Sequence, residues 1–190
     1  HQHMQLGIIG LGRMGGNIAR RLMLNGHTTV VYDRNTAFVD ALSEGGATGV
    51  ADLPALVAGL AKPRAVWVML PAGAPTEDTI DTLSSLLEAG DTIIDGGNTF
   101  YKDDIRRAKT LSEKGLHYID VGTSGGVWGL ERGYCMMIGG DAQTVERLDP
   151  LVDSMVESVF RHQDALLPMA RLKNLDDYTF EHSVSVSTLL

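Results

Sequence analysis

The 190-residue chain contains a single cysteine, Cys135, so it cannot form an internal disulfide, which fits a reducing cytoplasm. It has no excess of basic residues. Sixteen Lys and Arg against twenty-four Asp and Glu leave a formal charge of −8, the wrong sign for a nucleic-acid surface. No apolar run reaches membrane-spanning length, and no charged-then-apolar signal segment opens the chain. Internal repeats and low-complexity linkers are also lacking, which excludes solenoid and disordered classes. What remains is a chain that is 44% hydrophobic, enough for one ordinary domain with a sizeable core. His1, Gln2 and His3 read as a tag remnant ahead of a start at Met4, and a His-x-His pair alone lacks the partners of a metal site.

Strand and helix signals alternate along the chain. Gln5 to Ile9 is a short apolar run suited to a buried strand, and helical spacing follows from Asn17 to Leu24, stopped by Gly26. Thr28 to Tyr32 is β-branched and aromatic, a second strand. A helix runs from about Thr36 to Gly45-Gly46, and Asp52-Leu53-Pro54 starts another, with a capping carboxylate and a first-turn proline. "AVWVML" (65–70) is a buried strand ended by the loop "PAGAP". Further helices are expected over Thr76–Leu87 and Tyr101–Lys114, with strands over Thr92–Asp95 and His117–Val121. This alternation predicts an α/β fold, a Rossmann-type, doubly wound, mainly parallel sheet, with a short helical C-terminal tail.

Three stretches carry chemistry. In "GIIGLGRMGGNIAR" (7–20), Gly10, Gly12 and Gly15 follow a strand and open a helix inside a βαβ unit. Gly10 permits the sharp turn, Gly12 lets backbone approach a pyrophosphate, and Gly15 allows close helix–strand packing. The helix N-terminus then offers unpaired N–H groups and a positive dipole end to phosphates. The second strand ends at Asp33, about eighteen residues past Gly15, near the spacing of a ribose-binding carboxylate. A carboxylate there accepts from both ribose hydroxyls and repels a 2′-phosphate, which favours NAD. Arg34 could instead pair with that phosphate, so NADP stays open. The second stretch, "IIDGGNTFYKD", puts Asn98 at the C-terminal end of a strand, where open α/β sheets bind ligands. The third, "DVGTSGGVWGLERG", has glycines that can turn backbone N–H groups into an anion nest, with Ser124 adding a hydroxyl.

Taken together, "GLGRMGGNIARRL", "DGGNTFYKDDIRRA" and "DVGTSGGVWGLERGYCMMIGG" closely resemble decarboxylating 6-phosphogluconate dehydrogenases, over about Met4 to Leu151. The 3-hydroxyisobutyrate-type dehydrogenases, which share the nucleotide turn and a Ser-Gly-Gly, are the alternative, and a non-catalytic nucleotide-binding module is another. The resemblance implies that Gly10, Leu11, Gly12, Arg13, Met14 and Gly15 hold the pyrophosphate, and that Asp33, Arg34 and Asn35 surround the adenosine ribose. Leu70, Pro71 and Ala72 would form the loop beside the cofactor. Asn98 would contact cofactor and substrate, and Ser124, Gly125 and Gly126 would bind the sugar acid. It also implies the activity: hydride removal from C3 of 6-phosphogluconate, then loss of CO2 to give ribulose 5-phosphate, a cytoplasmic step of the pentose phosphate pathway. The family's lysine base, glutamate acid and dimer contacts lie on a helical domain whose pattern is not found after Pro150. No catalytic residue is therefore assigned in this chain, and homo-oligomerisation is expected only through that domain. The last segment, residues 152–190, departs from the family. Its "DDYTFEHSVSV" resembles the start of HD-GYP phosphodiesterase domains, in which Glu181 or His182 would open a metal cluster, but at most two ligands are present. No metal site is expected, and the chain reads as a composite.

Overall fold

The computed structural model describes residues 3–97, 101–124, 130 and 133–155. Asn98, Gly125, Gly126 and the whole "DDYTFEHSVSV" motif lie outside the described residues, as does the Ser124 side chain. The elements are β1 (Gln5–Ile9), α1 (Arg13–Leu24), β2 (Thr28–Tyr32), α2 (Thr36–Glu44), β3 (Thr48–Gly49), α3 (Leu53–Ala58) and β4 (Ala65–Val68). They continue with α4 (Ala74–Leu86), β5 (Thr92–Asp95), α5 (Tyr101–Ser112), β6 (His117–Ser124), β7 (Cys135–Gly139), α6 (Ala142–Arg147) and α7 (Asp149–Met155).

The seven strands form one sheet in the order β3-β2-β1-β4-β5-β6-β7. All pairings are parallel except β6 with β7, which is antiparallel. The fold is therefore the doubly wound, Rossmann-like sheet that the strand–helix alternation predicts. The strand order reverses between β1 and β4, because the chain winds outward through β2 and β3 and then returns to the other side of β1. The register aligns Ile9 with Tyr32 and with Val68, Val68 with Asp95, and Asp95 with Asp120, so the ends of β1, β2, β4 and β5 share one edge and β6 continues past it to Ser124. A crevice opens above such an edge at a reversal point.

Side-chain alternation splits the core into two faces. Leu6, Ile8, Trp67, Ile94 and Ile119 pack with Ile18 and Leu22 of α1 and with Val145, Leu151 and Val152 of the last two helices. Ile9, Val66, Val68 and Ile93 pack on the other face with Leu56 of α3, Ile80 and Leu83 of α4, and Leu111 of α5. The helix caps follow the sequence: Asp52 accepts from the Ala55 N–H, with a proline inside the first turn of α3. Gly26, at φ +87°, ends α1 as its position predicts. Among the described residues, no helix is long and apolar enough to cross a membrane, and no cluster of His, Cys, Asp and Glu could hold a metal ion.

Helix α7 docks on α1 through buried polar contacts. Arg21 Nε donates to the Ser154 carbonyl at 2.7 Å. His27 Nδ1 accepts the Met4 N–H at 2.9 Å, so its proton sits on Nε2 and is donated to Ser154 Oγ at 2.7 Å, which in turn donates to the Pro150 carbonyl. Burial holds His27 below the usual histidine range, with the Pro150 carbonyl opposing and nearby His3 reinforcing. The unfolded chain therefore binds more protons than the folded one between the lowered folded value and about 6.5. Stability will fall as pH drops from 7.5 through that window. Urea unfolding at pH 7.5 and 5.5 checks this: His27→Gln should lower stability at pH 7.5 and remove most of the step. An unchanged step in the variant would assign the effect to other groups.

Candidate functional site: a crevice at the strand-order reversal

The turn after β1 is built by its glycines. Gly10 has φ +94°, a left-handed conformation, and a Cβ there would strike the Met69 carbonyl. The turn is pinned on both sides: Gly10 N–H donates to the Tyr32 carbonyl at 3.1 Å, and Met69 N–H donates to the Ile9 carbonyl at 2.8 Å. Gly15 lies where a Cβ would strike the Gly10 carbonyl, so α1 starts against the turn itself. Gly12 differs from both. A Cβ at Gly12 meets nothing within 4 Å, and its φ of −61° suits any residue. Gly12 caps α1 without a side-chain hydrogen bond, and no acid occupies the helix's first turn. These first-turn N–H groups and the dipole end face an open space of the kind that holds an anion.

Asp33 reaches this turn from the end of β2. Its Oδ2 accepts the Leu11 N–H at 2.7 Å and its Oδ1 accepts the Asn35 N–H at 2.7 Å. Each oxygen retains a second lone pair for a ligand hydroxyl. Beside it opens a cleft of about 460 Å³ lined by Gly10, Asp33, Arg34, Leu70 and Pro71, together with Ile9, Tyr32, Leu53, Pro75, Asp78 and Thr79. The volume suits a small-molecule site. Thr76 is buried and donates from Oγ1 to the Pro71 carbonyl at 2.8 Å, which fixes the loop between β4 and α4 as one wall.

Five residues singled out in the sequence thus share one cleft. The others stand around it in distinct ways. Leu11 buries its side chain in the core and offers only backbone. Arg13 is exposed on the first turn of α1, and Met14 packs partly against the core. Asn35 uses its side-chain oxygen to cap α2, accepting from Ala37 N–H at 3.0 Å. Ala72 is exposed and does not line the cleft. Sequence reasoning missed Leu53, Pro75, Asp78 and Thr79, which arrive from α3 and α4. The proline at the start of α4 was the available signal, since it marks a helix opening at the same edge.

A sequence profile described as the NAD binding domain of 6-phosphogluconate dehydrogenase matches residues 5–163. The chain belongs to this family. The YqeC protein of Bacillus subtilis is 44% identical over 156 residues, covering 82% of this chain and 52% of YqeC. An NAD(+)-dependent, decarboxylating 6-phosphogluconate dehydrogenase of Haloferax volcanii is 38% identical over 152 residues, covering 80% of this chain and 50% of its own length. A Plasmodium falciparum 6-phosphogluconate dehydrogenase, studied without ligand, with NADP+ and with 6-phosphogluconate, superposes with a TM-score of 0.77 at 29% identity, over 82% of this chain and 34% of its own. The chain therefore spans about half the length of the first two relatives. In the described residues, the crevice above β1 and β4 brings the open N-terminus of α1, the Asp33 carboxylate and the cleft side by side.

Proposed function

We propose that this chain binds NAD in the crevice between β1 and β4, as the nucleotide-binding part of a decarboxylating 6-phosphogluconate dehydrogenase. The observation that carries the reading is the contrast among the glycines: Gly10 and Gly15 are closed against backbone, while Gly12 opens onto free space at a helix N-terminus. Gly12, Arg13 and Met14 would offer backbone N–H groups to the pyrophosphate, Asp33 would accept from the adenosine ribose hydroxyls, and Leu70 and Pro71 would wall the adenine side. Bound NAD would supply the hydride acceptor. The chain's own residues then bind and orient. Following the family resemblance, Asn98 would touch cofactor and substrate, and Ser124, Gly125 and Gly126 would hold the sugar acid, 6-phosphogluconate. The whole enzyme would release CO2 and ribulose 5-phosphate, with its proton-transfer groups and its subunit contacts outside the part that this chain shares with its relatives.

Charge in the cleft favours NAD over NADP. Asp33 and Asp78 set two carboxylates against the single guanidinium of Arg34. A 2′-phosphate placed beside Asp33 meets like charge at short range. Asp33→Ser should therefore shift the ratio of NADP to NAD affinity by about tenfold toward NADP. Both affinities lose the bond that Asp33 takes from Leu11 N–H, so the ratio is the proper measure. Calorimetric titration with both dinucleotides checks it; a wild-type chain that binds NADP more tightly would give Arg34 the deciding role.

A further inference from the structure

A carboxylate at the end of β5 has no place in the cleft and yet is almost completely buried. Asp95 is 1% exposed. Its Oδ1 accepts the Gly97 N–H at 2.9 Å. Its Oδ2 lies 3.5 Å from Arg107 Nη1 and 3.2 Å from the Tyr118 hydroxyl, which donates more closely to Asp104 at 2.7 Å. Burial and the charges of Asp95 and Asp104 keep that phenol protonated as a donor. Arg107, itself 4% exposed in its side chain, donates through Nε to Glu77 Oε2 at 2.8 Å. Arg106 reaches the other oxygen of Glu77 at 2.5 Å. Burial acts to raise Glu77, but the two arginines outweigh it and hold the carboxyl below its usual range, so the pair stays charged.

Buried ion pairs of this kind are seldom needed for stability, because apolar residues of like volume serve as well. What this one delivers is position. It fixes the backbone of the turn after β5, and that turn is pressed onto β4. A Cβ at Gly97 would come 2.7 Å from the Leu70 carbonyl, and one at Gly96 would strike the Trp67 indole. Gly96 N–H also donates to the Val68 carbonyl at 2.8 Å. Residues 95–97 are therefore the next wall along the edge beyond Leu70. Glu77 sits on α4, between Thr76, which fixes the Pro71 loop, and Asp78, which lines the cleft. The chain of contacts from Asp95 through Arg107 to Glu77 ties this wall to the helix beside the adenine side.

We propose that Asp95 is a positioning residue for the nicotinamide half of the dinucleotide, held in register with the adenine half by Arg107 and Glu77. The inference rests on the dinucleotide reading above and adds a direction to it. With the adenosine at Asp33 on β2 and the pyrophosphate at the turn after β1, a dinucleotide crossing the reversal point carries its other half over β4 and β5. Asp95 itself does not touch the ligand.

The test compares NAD with ADP-ribose, which lacks the nicotinamide, by calorimetry on the 190-residue chain. Asp95→Asn should weaken NAD about tenfold, by loosening the turn that Asp95 holds through the Gly97 N–H and Arg107, and leave ADP-ribose within about twofold. Glu77→Gln, at a partly exposed position with 31% of its side chain accessible and with the amide oxygen still able to accept from Arg107, should act in the same direction by about threefold. The emission of bound NADH should differ from wild type in both variants. Equal weakening of NAD and ADP-ribose would reduce Asp95 to a structural role, and no weakening of either would remove it altogether. Should Asp95→Asn fail to fold, Glu77→Gln decides by the same comparison. A wild-type chain that binds neither ligand would instead overturn the dinucleotide reading, and this proposal with it.

Discussion

Gly12→Leu will leave the fold intact and weaken NAD binding by at least about a hundredfold. The two halves of this expectation come from different facts. The backbone at Gly12, with φ −61° and ψ −169°, is open to any residue, and a Cβ there touches nothing within 4 Å. A substitution at an open surface position changes stability by only about 0.5 kcal/mol. On the proposed reading, the same open space is where a pyrophosphate would lie to reach the N–H groups of Arg13 and Met14. A leucine side chain would fill it, at the point where backbone and dipole together favour the anion. A hundredfold loss corresponds to about 2.8 kcal/mol, a modest amount for removing phosphate contacts at a helix N-terminus. Gly15→Leu provides the contrast, since its Cβ would strike the Gly10 carbonyl and should lower the melting temperature before any ligand is added. Thermal melts and calorimetric titration of the two variants separate the cases. Unchanged NAD affinity in a folded Gly12→Leu chain would move the cofactor out of this crevice.

The parts of this site that were legible in the sequence are those that local rules govern. Gly10, Gly15 and Asp33 announce themselves by spacing, because a strand, a tight turn and a helix must follow in fixed order. Asp52 and Pro54 show a helix start for the same local reason. What the sequence hid depends on packing at a distance. Pro75, Asp78 and Thr79 line the cleft only because α4 packs beside β4, and no pattern within α4 says so. Arg107 lies twelve residues from Asp95, and Tyr118 twenty-three, so their meeting is a property of the sheet order. Strand β3, with only Thr48 and Gly49, is too short to show a period. Strand β7, over Cys135 to Gly139, is antiparallel to β6, and the strand–helix alternation gave no sign of it. The helices α6 and α7 were not expected as separate elements either, though Asp141 caps the first by accepting from Thr144 N–H at 3.1 Å.

The purified 190-residue chain will bind NAD but will not oxidise 6-phosphogluconate at a measurable steady rate. Removing hydride from C3 requires a base for the hydroxyl proton, and the later enediol requires an acid. His27, His117, Tyr118 and Asp33 are not placed for either task. His27 is buried at the start of β2, at the opposite end of the strands, between Met4 N–H and Ser154. His117 begins β6 and lies 3.2 Å from Thr144 Oγ1, also away from the ligand edge. Tyr118 is close to the edge, but burial and neighbouring carboxylates raise it far above any working range. Asp33 is engaged by two backbone N–H groups, and on the proposed reading it would face the adenosine, far along the dinucleotide from where a hydride would move. Asn98 and Ser124 to Gly126 are residue types that orient a substrate and cannot exchange its protons at neutral pH. The first two relatives are about twice as long as the matched region, and on the proposed reading the proton-transfer groups would belong to the part that this chain does not share. Absorbance at the NADH band, followed over hours with NAD and 6-phosphogluconate, should stay flat beyond any stoichiometric burst. Sustained NADH production that disappears in Asn98→Ala would show that the nucleotide-binding domain carries its own acid and base.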